Sequence, residues 1–352
     1  MNSGILTLDD KDRWNEYLQA LPLNQQDIYY TPEYYALYQN LGDGQAKCFY
    51  FEKDGNLAMY PFLVNSVNNL GFDLNKHYYD IQGAYGYNGV VASTNNEEFR
   101  KAFFQFFNEY CRDSNIIAEF TRFHPLLNNN LFSDNFSDVI YDRKTIYLDL
   151  NNPIDEIFGN FQRTTRKQIK RGIGKHNVRI EIGRSDCNIS KIYSIYCESM
   201  DRVNSTGYLY FNENYFKELL ASVPSLVFSA FIKDEMIASI ICITGKQYMH
   251  GHLGGAKTNS LAFSPYSLLY YEIIKHAFEN NYKKVHFGGG NGPDPEDPLL
   301  KFKMHFSDTM SDFFLGKKIY DQYIYDKVVN QWCARYPEKA DAYKNYLLKY
   351  RY

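Results

Sequence analysis

No two cysteines stand in a C-x-x-C arrangement; Cys48, Cys111, Cys187, Cys197, Cys242 and Cys333 are scattered singly. That spacing excludes a zinc ribbon and gives no disulfide framework, so reduced thiols in a cytoplasmic protein are expected. No run of 18 apolar residues exists, which excludes a transmembrane helix. The opening stretch MNSGILTLDDKDRW has no basic-then-apolar leader pattern. G-x-S-x-G, H-E-x-x-H and G-K-[ST] are all missing, so serine-nucleophile, zinc-hydrolase and P-loop chemistry have no support. An excess of positive charge is missing too: the net charge is −3, which disfavours wholesale nucleic-acid binding and leaves DNA out as a partner.

Aromatic side chains are abundant, with 33 Tyr and 26 Phe. They either fill a core or line a groove for sugar or peptide contacts. The 352 residues exceed what one core usually supports, so two domains are expected. Apolar runs at 47–52 and 57–64 flank a Lys53-Asp54-Gly55-Asn56 turn, which predicts a hairpin. Runs at 226–232 and 236–243 flank Lys233-Asp234-Glu235. Phe51, Lys53, Asp54, Leu57 and Ala58 match Phe231, Lys233, Asp234, Ile237 and Ala238 at a constant offset. A helical pattern follows each hairpin, at 96–112 and 265–281, then a short strand at 115–120 and 283–287. The repeated order predicts a duplicated α/β fold with mixed sheets. One domain spans 1–150, a second 151–320, and a helix follows over 321–352.

Four segments carry candidate chemistry. The densest basic run lies at 163–184, and 164–176 read as a helix with Arg163, Arg166, Lys167, Lys170 and Arg171 on one face. It suits the phosphates of a nucleotide sugar, a lipid diphosphate, coenzyme A or RNA. Residues 78–91 join glycines to Tyr85 and Tyr87, which point the same way in an extended segment. Residues 286–306 place Gly288, Gly289, Gly290 and Asn291 at a strand end, where backbone groups can cradle a phosphate or a carbonyl oxygen. Lys301 and Lys303 flank Phe302; strand alternation would put both lysines on one side, whereas a helix would make them diverge. His250 and His252 face one way in a strand; no third ligand stands nearby, so no metal is expected and an acid–base role for His252 is the alternative.

Together YDIQGAYGYNGVV, TTRKQIKRGIGKHNVRIEI and FGGGNGPDPEDPLLKFKMHF resemble, in order, three segments of the bacterial FemABX-type, FemAB-like transferases of the GNAT acyltransferase superfamily. The resemblance covers roughly residues 10–320 and implies two tandem GNAT-like domains with an acceptor site in the cleft between them. It implies an acyltransferase, such as an acetyltransferase, acting on an amine of a cell-envelope glycan precursor of polysaccharide or peptidoglycan biosynthesis. Acyl-CoA would be the co-substrate, with no tightly bound cofactor; the precursor would be nucleotide- or lipid-linked, with peripheral contact to a lipid-linked substrate. By the same resemblance Phe302 and Lys303 lie near the reaction centre, Gly288, Gly289 and Gly290 near the donor, and Tyr85, Tyr87, Arg166, Arg171 and Asn291 near the acceptor. Aminoacyl transfer from tRNA to a peptidoglycan precursor peptide is a second reading. A non-catalytic binder of nucleotide sugars or lipid head groups is a third. Two family features are missing: a coiled-coil arm between 204 and 225, and the [RQ]-x-x-G-x-[GA] loop, whose place GAKTNSLAFSPYSLLYYE takes.

Overall fold

A computed structural model describes residues 1–184, 188–203 and 210–352. Cys187, and 204–209 of the interval where an arm was looked for, lie outside the described residues. The chain forms two compact units: residues 1–142 with 313–352, and residues 143–312. In chain order the elements are β1 (Asn2–Leu6), α1 (Lys11–Ala20), α2 (Pro32–Asn40), β2 (Gln45–Lys53), β3 (Asn56–Ser66), β4 (Tyr79–Gln82), β5 (Val91–Ala92), α3 (Glu97–Asp113), β6 (Ile116–Arg122) and α4 (Asn130–Ser133). Next come β7 (Asp138–Asp149), α5 (Ile154–Asn160), α6 (Arg163–Gly174), β8 (Val178–Gly183), α7 (Ile189–Arg202), α8 (Glu213–Ser222), β9 (Ser225–Ile232), β10 (Glu235–Thr244) and β11 (Tyr248–Ala256). Then follow α9 (Pro265–Glu279), β12 (Lys284–Gly289), α10 (Pro298–Lys303), β13 (Met310–Ile319) and α11 (Gln322–Arg335).

In the first unit the strands run β1-β2-β3-β4-β6-β13, with β5 on β3; in the second they run β8-β9-β10-β11-β12-β7. Each order has antiparallel strands leading to one parallel pair, β4 with β6 and β11 with β12. The closing strand is exchanged. Thr145–Asp149 of β7 pair with β12, and Leu315–Ile319 of β13 pair with β6. This exchange puts the division at 142/143, inside β7, and returns residues 313–352 to the first unit.

The hairpins explain why the repeat is visible. Asp54 and Gly55 both take positive φ, the conformation a two-residue hairpin turn requires. In the second hairpin Lys233 takes positive φ, so the turn sits one residue earlier against the shared motif. A bulge between Met236 and Ala238 takes up half of the resulting register shift, so that Ala238 faces Ala230 where the matching Ala58 faces Phe51.

The aromatic surplus is largely core. In the first unit Phe99, Phe103, Phe107 and Cys111 recur every fourth residue along α3 and bury against Phe49, Phe51, Tyr60 and Phe62. Tyr30, Tyr34, Tyr35, Tyr38 and Tyr60 are wholly buried. Their hydroxyls still find acceptors: Tyr35 donates to the Pro61 carbonyl at 2.8 Å and Tyr60 to Glu119 at 2.7 Å. The C-terminal helix is shorter than expected. It stops at Arg335 because Pro337 offers no N–H and disfavours a helical residue before it. The tail beyond it packs Leu348 and Tyr350 beside Trp332, and Arg351 grips the buried Asp80 at 2.8 and 3.0 Å.

The second unit packs α9 against the sheet through Leu268, Leu269, Ile273, Ile274 and Ala277. On another side α7 comes so close that a methyl group on Gly255 would lie 2.5 Å from the Ile195 carbonyl oxygen. Backbone cannot yield as a side-chain tip can. Gly255→Ala is expected to destabilise by about 2–3 kcal/mol, as overpacking does, read as a fall in the denaturant midpoint. An unchanged midpoint would contradict this packing.

Candidate active site

The parallel pair of the second unit opens. β11 and β12 pair only at Tyr248–His250 with Lys284–His286. Beyond these residues β11 continues on β10 to Ala256, and β12 continues on β7 to Gly289, but no pairing joins the two. The edge of β11 from Gly251 to Gly255 thus has no strand partner on that side among the described residues. An edge without a strand partner is where an extended chain can add as a further strand. Two irregularities accompany the parting. His252 is the extra residue of a bulge against Ile241 and Cys242, and Phe287 is the extra residue of a bulge in β12 against β7. A bulge bends its strand and so re-aims the side chains beyond it.

In the first unit the corresponding place is stitched shut. Asn88 bridges in parallel to Phe123, and the Asn88 side-chain oxygen accepts from the Arg122 N–H at 2.8 Å. The Arg122 guanidinium donates to the carbonyls of Gly83, Ala84 and Gly86 at 2.8–3.3 Å. Here a side chain of the chain itself engages the backbone carbonyls.

At the open end of β12 lies Lys303. It sits in α10, so Lys301 and Lys303 diverge: Lys301 is exposed and pairs with Glu296, while Lys303 is buried. The Lys303 ammonium donates to the Gly289 carbonyl at 2.6 Å. A methyl group added at Gly288, which has φ +76°, would lie 3.5 Å from that nitrogen. Burial pushes the lysine pKa down to about 7, with Asp297 pulling the other way. Asp297 caps α10, accepting from the Leu299 and Leu300 N–H groups at 2.8 and 3.0 Å, and also from the Asn291 N–H at 3.0 Å. Burial would raise its carboxyl pKa, but those backbone donors and Lys303 leave it below the ordinary range. Gly290 is a close-approach glycine, since a methyl group there would meet the Asp297 carboxylate at 2.6 Å. Its carbonyl accepts from Arg143 at 3.1 Å.

The structure therefore brings Gly288, Gly289, Gly290, the Asn291 backbone and Lys303 together. It does not place the others with them in one hydrogen-bonded group. Phe302 packs among Tyr266, Tyr270, His305 and Phe306 with ring centroids 5.3–6.2 Å away. Its ring supports α10 and makes no polar contact. His252 Nε2 lies 2.5 Å from the Tyr215 hydroxyl. Burial, with His250 adding to it, lowers the His252 pKa to about 3, so the imidazole is neutral across the physiological range and cannot deliver a proton as a general acid. Arg166 donates to the Gly159 carbonyl, and Arg171 stands exposed on the outer face of α6. In the first unit Tyr87 meets Tyr29 and His124 with ring centroids 5.2 Å away, and the Tyr85 carbonyl accepts from Tyr34 at 2.6 Å. Gly86 between them has φ +99°, and a methyl group on it would strike Tyr29 at 2.4 Å.

Asp297 and Arg122 were not picked out from sequence. Asp297-Pro298 is a helix start, with a capping side chain followed by a proline in the first turn, and it would have marked α10. Arg122 carries no local pattern.

Residues 159–297 match the family model described as an acetyltransferase (GNAT) domain. No curated protein matches the sequence. Among solved structures, FemX aligns with a TM-score of 0.68 at 14% identity, over 93% of this chain and 99% of its own. A tandem GNAT protein from the clavulanic acid biosynthesis pathway aligns at 0.52 and 7% identity, over 91% of this chain and 98% of its own. The C-terminal domain of a putative lysylphosphatidylglycerol synthetase from Agrobacterium fabrum aligns at 0.54 and 14% identity, over 88% and 91%. The chain has the tandem GNAT fold of these structures, and the segment that matches the acetyltransferase (GNAT) domain model lies in its second unit.

Proposed function

We propose that the chain is a cytoplasmic N-acyltransferase that moves an acyl group from acyl-CoA to an amine of a cell-envelope glycan precursor, an amino sugar or a peptidoglycan precursor. The observation that carries this reading is the open strand pair of the second unit with Lys303 at its end. The donor's extended arm lies along Gly251–Gly255 in the manner of an added strand. Its phosphates meet the first turn of α9, which starts at Pro265 behind a Ser264 that makes no side-chain cap. The acyl carbonyl then faces the Gly288–Gly290 turn and Lys303. The amine lone pair attacks the carbonyl carbon, a C–N bond forms, and the oxygen takes negative charge beside the Lys303 ammonium. Collapse breaks the C–S bond, and the leaving thiolate accepts the amine proton. No strong base is required, which agrees with a neutral His252. Arg166 and Arg171 are assigned the acceptor phosphate, and Tyr85 and Tyr87 an acceptor contact in the first unit.

The test is incubation with labelled acetyl-CoA and a panel of free and nucleotide-linked amino sugars. Label is expected in amine-bearing acceptors only, with one donor bound per chain because Arg122 occupies the equivalent opening of the first unit. Donor binding without transfer to any acceptor would favour the non-catalytic reading. Steeply salt-dependent binding of charged tRNA, with no affinity for acyl-CoA, would favour aminoacyl transfer.

A further inference from the structure

Charge is segregated along this chain. Between Arg163 and Arg184 eight Lys and Arg residues face the single Glu181, a charge of +7 in a chain whose net charge is −3, so the remaining residues carry −10 between them. The structure sorts these cations by face. Thr165, Ile169 and Gly172 turn α6 into the core; a methyl group on Gly172 would meet Leu268 at 2.6 Å, so the helix lies hard against α9. The opposite face presents Arg163, Lys167, Lys170 and Arg171, and Lys175 follows the last turn; all five are exposed. Arg179 is paired with Glu181. Every residue of α6 is basic, small, polar or aliphatic; none is aromatic or acidic.

The C-terminal end of α6 adds exposed apolar surface. Ile173 is 51% exposed and Leu261 is 40% exposed. The 3-10 turn bearing Leu261 also holds Phe263, whose ring lies 5.2 Å from that of His176, just past the helix. A cationic helix face about 18 Å long at 1.5 Å per residue, with aliphatic side chains at one end, matches a bilayer interface of anionic head groups over acyl chains. Single-stranded nucleic acid is met instead with exposed aromatic platforms; α6 itself carries no aromatic residue, and Phe158, whose ring centroid lies 5.9 Å from the Lys170 nitrogen, is half-buried.

We propose that the outward face of α6 docks the second unit on an anionic membrane surface. The docking is peripheral, since no helix of the described residues is long and apolar enough to cross a membrane. It stands whether or not acyl transfer occurs; only its corollary, that the acceptor amine is presented at the bilayer, rests on that reading. The probe is sedimentation of the full chain with vesicles of phosphatidylcholine containing about one-third phosphatidylglycerol, the anionic charge to which near-surface cations respond. Binding is expected there and not to phosphatidylcholine alone. It should weaken steeply between about 0.05 and 0.3 M salt as the Debye length shortens. Lys170→Gln should lower partitioning about fivefold, the equivalent of roughly 1 kcal/mol per near-surface cation. The combined Arg163→Glu, Lys167→Glu, Lys170→Glu and Lys175→Glu variant should abolish binding while its circular dichroism and melting temperature stay those of the parent. Equal binding to neutral vesicles, absence of binding, or binding unchanged in both variants would overturn the proposal. So would preferential capture of a short RNA over the vesicles. A variant that binds no vesicles yet acylates a soluble amino sugar separates docking from catalysis.

Discussion

Lys303→Ala is expected to lower kcat for acyl transfer by about 10²- to 10³-fold, the loss seen when one oxyanion donor is removed, with KM for the acyl donor nearly unchanged. The ammonium is held at the Gly289 carbonyl by a short hydrogen bond and lies over Gly288, so its position is fixed before substrate arrives. The pH profile separates this role from a structural one. A lysine that titrates near 7 is charged below that pH and neutral above it. The parent-to-variant ratio of kcat should therefore be largest near pH 6 and fall as pH rises through about 7. A ratio that climbs with pH would identify neutral Lys303 as a base instead. A ratio independent of pH would leave it a packing residue. Lys303→Arg keeps the charge but not the compact ammonium, and should not restore the rate.

The second large effect concerns stability and has the opposite sign. Burial depresses the Lys303 pKa from its ordinary value toward 7. Between those values the unfolded chain holds a proton that the folded chain has released, so stability rises with pH across that window. Below about pH 7 both states are protonated and the full penalty of the buried charge applies. At 1.36 kcal/mol per pK unit the penalty is of the order of 5 kcal/mol. Lys303→Met, similar in length and uncharged, should raise the unfolding free energy by up to that amount at pH 6–7. The gain should fade toward pH 10. Denaturant titrations of both proteins at several pH values read it directly; equal stability at every pH would place Lys303 in contact with water. A residue that lowers stability and raises rate is the pattern expected of an active-site group.

How much of the fold and site was legible depends on which signals are local. The hairpins, α3, α6 and α9 announce themselves through turn residues and apolar period, and each formed within two residues or so of its expected limits. The turn at 288–291 was also readable, because glycines at a strand end are a local feature. The burial of Lys303 was not. Its two neighbours fit a strand or a helix equally well, and only the Asp297-Pro298 start decides for the helix. The stitching of the first unit by Arg122 depends on carbonyls 36 to 39 residues away in sequence. Pairing partners of β7 and β13 are likewise a tertiary choice. Each lies in sequence beside one unit and completes the other, so a linear division at residue 150 misses it. The abundant tyrosines were ambiguous for a similar reason: composition does not say which hydroxyl has found an acceptor inside.

The exchanged strands also set an order in time. Chain emerging from a ribosome folds as its parts become available, N-terminal first where it can. Here β7 is already made when β12 appears, so the second unit holds all its strands once Asp312 is out. The first unit begins to emerge earlier, yet β6 waits for Leu315–Ile319 to cover its edge, and Asp80 waits for Arg351. The half that is born first is finished last. Until residues 315–351 arrive it carries an open strand edge and a buried carboxylate without its cation.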